Sequence, residues 1–504
     1  GASVLVKGTT VGTVTDIDGR FELPNIPSSA KTLVISYIGM KTQELAIKSP
    51  LKVVLEPDAQ TLDDVIVVAY GTQKKSSFTG AASTVGAQTL EKRVISNATA
   101  ALEGNASGVQ VTAAGGQPGE SAAVRIRGFG SVNASNAPLY VVDGTVYNGS
   151  ISDINPADIE SMTILKDAAS TSLYGSSAGN GVILITTKKG KGNNGTGVNL
   201  TINQGWSKRA YADYARVNVW QYYPLQWQML KNAYVSSGKY SGDQAATLAS
   251  QNIGSTLKYN PFTGVADTDI VGTDGTLNAS ANSLKWGDDL DWEKAAYKTS
   301  FRQEYNLSYN TKTEKSDTYA SVGYLKDDGY MLRTDFERYT GRLNYNIYPT
   351  TWFKTGLNLG LTRTISNYST SSSANSSSYS NLTRYVRVMA PIYPVHKHDL
   401  STGAYLDAND KPTTDPSQYV YDYLGTRLAN NGRDAIAETL MNNRELNRNS
   451  QNAHTYMTIT PLEGLNLTMN YSYENTDYRG KVYENPLVGD GIAGPGRLNH
   501  PFPR

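Results

Sequence analysis

From Val198 onward the chain alternates apolar and polar residues with a period of two, the period of a half-buried β-strand. Val198, Leu200 and Ile202 alternate with Asn199, Thr201 and Asn203. Phe301, Tyr305, Leu307 and Tyr309 alternate with Arg302, Glu304, Asn306 and Ser308. The same holds for Tyr339, Leu343, Tyr345 and Ile347 against Arg338, Thr340, Arg342, Asn344 and Asn346, and for Leu357, Leu359 and Leu361 against Asn358, Gly360 and Thr362. Leu465, Leu467, Met469, Tyr471 and Tyr473 alternate with Asn466, Thr468, Asn470, Ser472 and Glu474. Segments near 317–326 and 454–460 follow the pattern less regularly, giving seven candidate strands. Residues 310–316, 348–352 and 461–464 are short turns, whereas 207–300, 327–337 and 366–453 are longer connections.

Short turns on one rim and longer loops on the other are the arrangement of an antiparallel transmembrane β-barrel. A soluble sandwich also alternates apolar with polar. It rarely joins strands of about ten residues through two such long loops on one side.

Earlier in the chain the pattern is different. Residues 1–56 read as a small β-sandwich of short strands (Ser3–Lys7, Arg20–Leu23, Lys31–Tyr37, Gln43–Ile47, Leu51–Leu55) separated by turn clusters. Asp16-Ile17-Asp18-Gly19 is a tight turn, since it lacks the remaining ligands of a calcium loop. Residues 57–79 are a linker around one extended β-branched segment, Asp63–Tyr70. An isolated strand cannot satisfy its own backbone, so this segment belongs either to the sandwich or to a partner's sheet edge. Residues 80–191 form a glycine-rich mixed α/β unit, and residues 192–504 hold the alternating strands.

Composition narrows the class. The 46 Lys and Arg balance 45 Asp and Glu, which points away from nucleic acid. There is no cysteine, so neither disulfides nor thiolate metal sites hold the fold. Tyr (34) far outnumbers Phe (8), as suits surfaces with one apolar and one wet side. No run of 18 apolar residues is present to form a transmembrane helix. The chain opens inside what reads as a strand, so residues are expected before Gly1.

The mixed unit carries a series of long motifs. These are Val124-Arg125-Ile126-Arg127-Gly128-Phe129, then Pro138-Leu139-Tyr140-Val141-Val142-Asp143-Gly144, then Ile154-Asn155-Pro156 followed by Asp158-Ile159-Glu160. Leu165-Lys166-Asp167-Ala168-Ala169-Ser170, Leu173-Tyr174-Gly175 and Gly179-Asn180-Gly181-Val182-Ile183 complete it. In order and spacing this series resembles the plug of TonB-dependent outer-membrane transporters, in the spelling of the SusC/RagA branch. Residues 1–56 are similar to the carboxypeptidase-regulatory-like module that precedes the plug in that branch. The resemblance implies a mainly β chain: a regulatory-like β-sandwich, a mixed α/β plug and the first strands of a barrel. Such barrels have roughly 22 strands, so seven leave this one truncated.

The resemblance also implies function. Asp63, Asp64, Val65, Ile66, Val67, Val68 and Ala69 match the TonB box, the strand offered to periplasmic TonB. The implied location is the outer membrane of a Gram-negative cell with the N-terminal module in the periplasm. The implied partners are TonB, a SusD-like surface lipoprotein and an oligosaccharide or oligopeptide substrate, without nucleic acid or cofactor. The plug frame is Arg125, Arg127, Asp143, Gly144 and Glu160, with the arginines either paired to carboxylates or facing water. The loops Ser131–Asn136 and Val146–Ser150 are expected to face substrate through Ser131, Asn133, Ser135, Asn136, Tyr147 and Asn148, the bland reading being short polar turns.

Competing chemistry is weaker. Gly175-Ser176-Ser177-Ala178-Gly179 matches a nucleophile elbow in letters, but a helix precedes the serine and a strand comes after it, the reverse of what the elbow needs. His396, His398 and Asp399 read first as a solvated pair in a long loop and second as an adventitious metal site. Gly128-Phe129-Gly130 is no dinucleotide loop, because Asn133 occupies the third glycine position. A secreted adhesin explains the sandwich and the Tyr-rich strands but not the plug series; a siderophore receptor explains the plug but not its spelling.

Overall fold

The computed structural model describes the chain except residues 1, 10, 17, 28–29, 38–39, 41, 56–64, 69–70, 75–81, 92–93, 113–115, 168–170, 192–195, 212, 370–380, 424, 429–431, 494–497 and 500–504. At the N-terminus, β1 (Ser3–Val6), β2 (Gly12–Val14), β3 (Thr32–Ser36) and β4 (Gln43–Ala46) form an antiparallel sheet in the order β2-β1-β3-β4. Alternation puts Val4, Val6, Leu33 and Ile35 on one buried face. Phe21, Leu23, Leu51, Val53 and Leu55 cover that face. They come from the two segments expected to be strands, Arg20–Leu23 and Leu51–Leu55, which run without ladder partners. The second layer is therefore laid-on chain rather than a second sheet. Asp16 closes its tight turn by accepting from the amides of Asp18 (3.0 Å) and Arg20 (2.7 Å).

The extended linker segment is not alone. β5 (Val65–Val68) pairs antiparallel with β6 (Gly71–Lys74), a local hairpin rather than a sandwich strand. Asp63, Asp64 and Ala69 lie outside the described residues.

The mixed unit begins with β7 (Ala82–Gly86) and α1 (Ala87–Glu91), followed by a hairpin of β8 (Val109–Thr112) and β9 (Ala123–Ile126). It continues with β10 (Leu139–Val142), β11 (Thr145–Val146), β12 (Ile159–Leu165) and β13 (Val182–Thr187). The sheet order is β11-β10-β13-β12-β7, with β10 and β13 parallel and β7 at one edge. Asp143 (φ 48°) and Gly144 (φ 86°) make the two-residue turn between β10 and β11, where positive φ at both positions favours this dipeptide. Ile159, Met162, Ile164, Ile183 and Ile185 centre the core.

Seven long strands then form one antiparallel meander: β14 (Thr196–Ser207), β15 (Ser300–Lys312), β16 (Ser316–Asp328), β17 (Asp335–Thr350), β18 (Phe353–Asn367), β19 (Asn443–Leu462) and β20 (Leu465–Tyr483), with the short β21 (Leu498–Asn499) beside β20. Register gives the tilt of this wall. Val198, Tyr309, Ala320, Leu343, Leu359, Ala453 and Tyr473 form one cross-strand row. On β14 the outward apolar residues climb from that row toward the long loops, through Leu200 and Ile202 to Trp206. On β20 they descend from it, through Tyr471 and Met469 to Leu465. The apolar band thus falls by slightly more than one residue per strand. At about 3.4 Å per residue and about 4.8 Å between strands, that slope is a tilt of roughly 40°, the tilt of a barrel wall in a flat membrane. Above the band, β19 and β20 turn Asn447, Asn449, Gln451, Asn475, Asp477 and Arg479 to water, and apolar alternation stops there.

The two long loops carry structure of their own. α2 (Val219–Ser236), α3 (Gly242–Leu257) and α4 (Trp292–Ala296) lie in the first, α5 (Leu382–Val388) and α6 (Ala435–Met441) in the second. They share one hydrophobic core that includes Tyr223, Trp227, Phe262, Trp286, Trp292, Tyr385 and Tyr393. Among the described residues no helix is long and apolar enough to cross a membrane.

Candidate functional site

The inner faces of β14–β20 are polar, and the mixed unit fills the concave side of the wall. Arg338 of β17, 1% exposed, donates to the carbonyls of Ser96 (2.8 Å) and Ser152 (3.0 Å). Arg302 of β15 donates to Ser96 Oγ (2.5 Å) and the Ile95 carbonyl (3.3 Å), and it pairs with Glu304 (2.8 Å) and Asp327 (2.9 Å) on its own wall. Ser96 Oγ also donates to Asp327. Arg448 of β19 holds Asp153 (2.6 Å) and Ser152 Oγ (2.9 Å). Asp158 accepts from Tyr319 (2.9 Å) and Ser321 (2.6 Å), with Arg342 at 3.7 Å.

Neutral bonds continue the seam: Asn155 to Asn306 (2.7 Å), Thr362 to the Asp153 carbonyl (2.8 Å), and Asn344 to Thr187 Oγ1 and the Lys188 carbonyl (both 2.7 Å). A Cβ on Gly323 would meet Asn155, Thr340 and Asn306 at 2.6–2.7 Å, so a glycine is what lets the unit approach here. Charges removed from water need partners, and this seam supplies them across two separately folded layers.

Of the two readings left open for the plug arginines, pairing with carboxylates is not what the structure shows. The cations sit on the wall and the carboxylates on the inner unit. Arg125 lies over the Phe129 ring at 4.3 Å, and Arg127 is exposed with φ 60°. Neither forms an ion pair among the described residues. The β8–β9 hairpin meets the wall at its tip instead, where Gln117 donates to the Asn367 carbonyl (2.9 Å), while Arg125 and Arg127 sit at the other end of β9. Asp143 accepts from the amide (2.9 Å) and hydroxyl (2.7 Å) of Thr187, locking the Gly144 turn to β13. Glu160 pairs with exposed Lys191 (2.6 Å).

The loop Ser131–Asn136 is stitched to itself. Asn136 Oδ1 accepts from the amides of Gly130 (2.7 Å) and Ser131 (2.8 Å), and Ser131 Oγ from those of Asn133 (3.3 Å) and Ala134 (3.0 Å). Ser135 Oγ accepts from the Ala137 amide (3.3 Å). Asn133 and Ser135 are exposed. Tyr147 corrects an expectation: only 6% exposed, its ring packs in the core and its hydroxyl donates to the Ser150 carbonyl (3.2 Å), leaving no face for a sugar. Exposed Asn148 donates its amide to Glu474 of the wall (3.2 Å).

His396 and His398 are not a solvated pair. Asp289, from the other long loop, accepts from His396 Nδ1 (2.8 Å), the His396 amide (2.7 Å) and His398 Nε2 (3.0 Å). Among the described residues no cluster of three or more His, Cys, Asp or Glu fits a metal ion. Burial pushes the Asp289 carboxyl up, but the bonds from His396 and His398 outweigh it and hold the group below the ordinary carboxylate value. A depressed carboxyl contributes stability above its unfolded pKa, near 4, and loses it as pH falls through the folded value. Intrinsic-rate-corrected amide exchange at residues 395–405 should therefore accelerate on acidification below about pH 4. Asp289→Asn should lose about 2–3 kcal/mol of protection at pH 7 and flatten that dependence.

Residues 74–182 match the TonB-dependent Receptor Plug Domain, and residues 1–67 match the CarboxypepD_reg-like domain. TonB-dependent receptor SusC of Bacteroides thetaiotaomicron is 34% identical over 352 residues, covering 68% of this chain. The chain belongs to the SusC-type TonB-dependent receptors. TonB-dependent receptor P26 of Formosa agariphila is 30% identical over 422 residues, 82% of this chain. A solved structure of the RagAB peptide importer in an open-open state superposes with a TM-score of 0.60 at 26% identity, covering 84% of this chain and 44% of that one. The chain spans 30% of the length of the SusC relative and 37% of P26. The matched relatives are receptors and importers, not enzymes. The inner unit is the plug, and the seven strands are part of the barrel.

Proposed function

We propose that this chain is the plug-bearing part of an outer-membrane importer that takes up a neutral oligosaccharide, driven from the periplasm by TonB at Asp63–Ala69 and covered outside by a SusD-like lipoprotein. The observation that carries the substrate class is the chemistry exposed on the plug and wall. The wall arginines are matched by carboxylates or carbonyls, and Asn and Ser supply the loop Ser131–Asn136. Such surfaces hydrogen-bond hydroxyls and amides, and neither Ser131–Asn136 nor Val146–Ser150 carries a cationic side chain of the kind an anionic iron chelate needs.

An oligopeptide is the second reading. It is favoured by the likeness to the RagAB peptide importer and by the same amide-competent lining. The complete transporter with its lipoprotein, titrated against neutral glycans and peptides of matched length, separates the two. The expected result is saturable binding and uptake of a glycan, with Asn133→Ala weakening it about tenfold, the loss of one or two bonds. Saturable binding of peptides alone replaces the oligosaccharide reading by the peptide one.

A further inference from the structure

The two long loops meet around a second buried charge group, apart from Asp289 and its histidines. The Arg427 side chain has no solvent exposure and lies over the Trp292 ring of the first loop at 5.3 Å. Its guanidinium donates to the Asp422 carbonyl (2.6 Å), the Arg433 carbonyl (3.3 Å) and the Tyr385 hydroxyl (3.2 Å). Two carboxylates share it at longer range, Asp422 Oδ2 at 3.5 Å and Asp434 Oδ2 at 3.8 Å. Asp422 has help from the first loop, because the Tyr259 hydroxyl donates to it at 2.6 Å. The neighbouring Arg433 is matched separately, by Glu438 (2.6 Å) and Asp490 (2.8 Å).

Asp434 has no such help. Its side chain is wholly buried. Oδ1 caps α6 by accepting from the amides of Ile436 (2.9 Å) and Ala437 (3.1 Å), whereas Oδ2 has no hydrogen-bond partner. Arg427 Nε is likewise unpartnered, so the two groups are held by proximity and not by a bond. Tyr385 of α5, Tyr421 and, one turn along α6, Glu438 also face this centre, and none of them brings positive charge. One guanidinium therefore serves two carboxylates, and the surplus negative charge falls on the one that lacks a donor at Oδ2. An ion in a dry interior needs a partner or a proton. Burial, with Asp422 adding to it, pushes the Asp434 carboxyl up to about 6 against the pull of Arg427 and the helix amides.

We propose that Arg427 and Asp434 are a proton-gated latch in the joint between the two outer loops, closed when Asp434 carries a proton and loosened when it is ionised. The proton removes the surplus charge and leaves Arg427 matched by Asp422. Ionisation restores that charge where α5, α6 and the Tyr259 segment of the first loop come together. An aspartate in the opened chain titrates near 4. A carboxyl raised above that value binds its proton more tightly in the closed core than in the opened one. Acid down to about pH 4 therefore strengthens the joint, and the gain is lost as pH rises through about 6. This window lies above the one in which Asp289 loses its contribution, so one titration separates the two. Neither the plug nor the wall takes part, and the latch stands whether the imported ligand is a glycan or a peptide.

Intrinsic-rate-corrected amide exchange on the complete transporter reads the joint at α5 and α6. Protection there is expected to be about tenfold greater at about pH 5 than at about pH 7.5, with β14–β20 unchanged. Asp434→Asn has no charge to gain and should show the same protection at both pH values. Asp422→Asn keeps an acceptor for Tyr259 and leaves Arg427 to Asp434 alone, so its pH response should shrink as well. Where Asp434→Asn fails to fold, Asp422→Asn decides. Wild-type protection in α5 and α6 that is equal at the two pH values overturns the latch. So does a full response that survives in either variant, which would move the titrating group elsewhere in the loop core, to Asp289 and its histidines first.

Discussion

Val67→Pro is expected to abolish uptake of the ligand identified by titration while leaving surface binding at the wild-type affinity. Strand addition to a partner's sheet depends on main-chain N–H and C=O groups, and side chains only modulate it. Proline at position 67 removes one donor, and its ring is tolerated only at strand edges and ends. The structure adds a competing partner: Val67 sits opposite Thr72 in the β5–β6 hairpin. A two-stranded hairpin of four residues a side is marginal alone, so on the proposed reading a TonB strand would have only a small pairing free energy to displace. Val67→Ile, which keeps the donor and the β-branched shape, should import normally. Energised whole-cell uptake beside equilibrium binding at the surface reads both outcomes, and normal uptake by the proline variant removes the assignment of Asp63–Ala69 to TonB.

The barrel wall is legible in the sequence because lipid on one side and a wet, plugged lumen on the other impose a period of two on every strand. Leu357 to Leu361 and Leu465 to Tyr473 show it without interruption. Periodicity stops being a guide where the physics changes. β19 begins at Asn443, eleven residues before its alternation becomes apolar at His454–Thr460, because its first half stands above the membrane band and faces water on its outer side. The plug motifs are legible by resemblance, but the sense of their charges is not. Arg125 and Arg127 lie near carboxylates in sequence, whereas the cations that hold the plug, Arg302, Arg338, Arg342 and Arg448, come from strands read only for their apolar partners.

The two longest helices of the long connections, α2 and α3, lie hidden there, although each carries a readable start. Asn218 and Gln221 form a reciprocal capping box at α2, and Ser241 and Gln244 form another at α3. Val219, Tyr223 and Trp227 then recur at helical spacing on the buried side. Pro224 inside α2 obscures the pattern, since it signals a break that the surrounding core overrides. The partnership of Asp289 with His396 and His398 has no signal in the sequence: 107 residues separate Asp289 from His396, and only the shared core of the two loops brings them together.

Trp286→Ala should unfold that shared core without unfolding the barrel. Trp286 is fully buried, packs edge-on against Tyr259 (6.3 Å) and donates Nε1–H to the Ile392 carbonyl (3.0 Å). It thereby joins the first long loop to the second, as Trp292 does through the Tyr393 carbonyl (2.9 Å). Truncation leaves a cavity the size of an indole and an unpaired carbonyl, a loss of about 3–5 kcal/mol for the packing alone. Amide protection in α2 and α3 should fall by roughly two to three orders of magnitude, at about 1.4 kcal/mol per factor of ten. Protection in β14–β20 should not change, because those ladders are closed by their own hydrogen bonds and by lipid. Trp286→Phe, which keeps most of the volume and loses the donor, should cost about 1–2 kcal/mol. Equal loss of protection in the strands and in the helices would mean that the loops and the wall fold as one unit, and the outer core could not then move independently of the barrel beneath it.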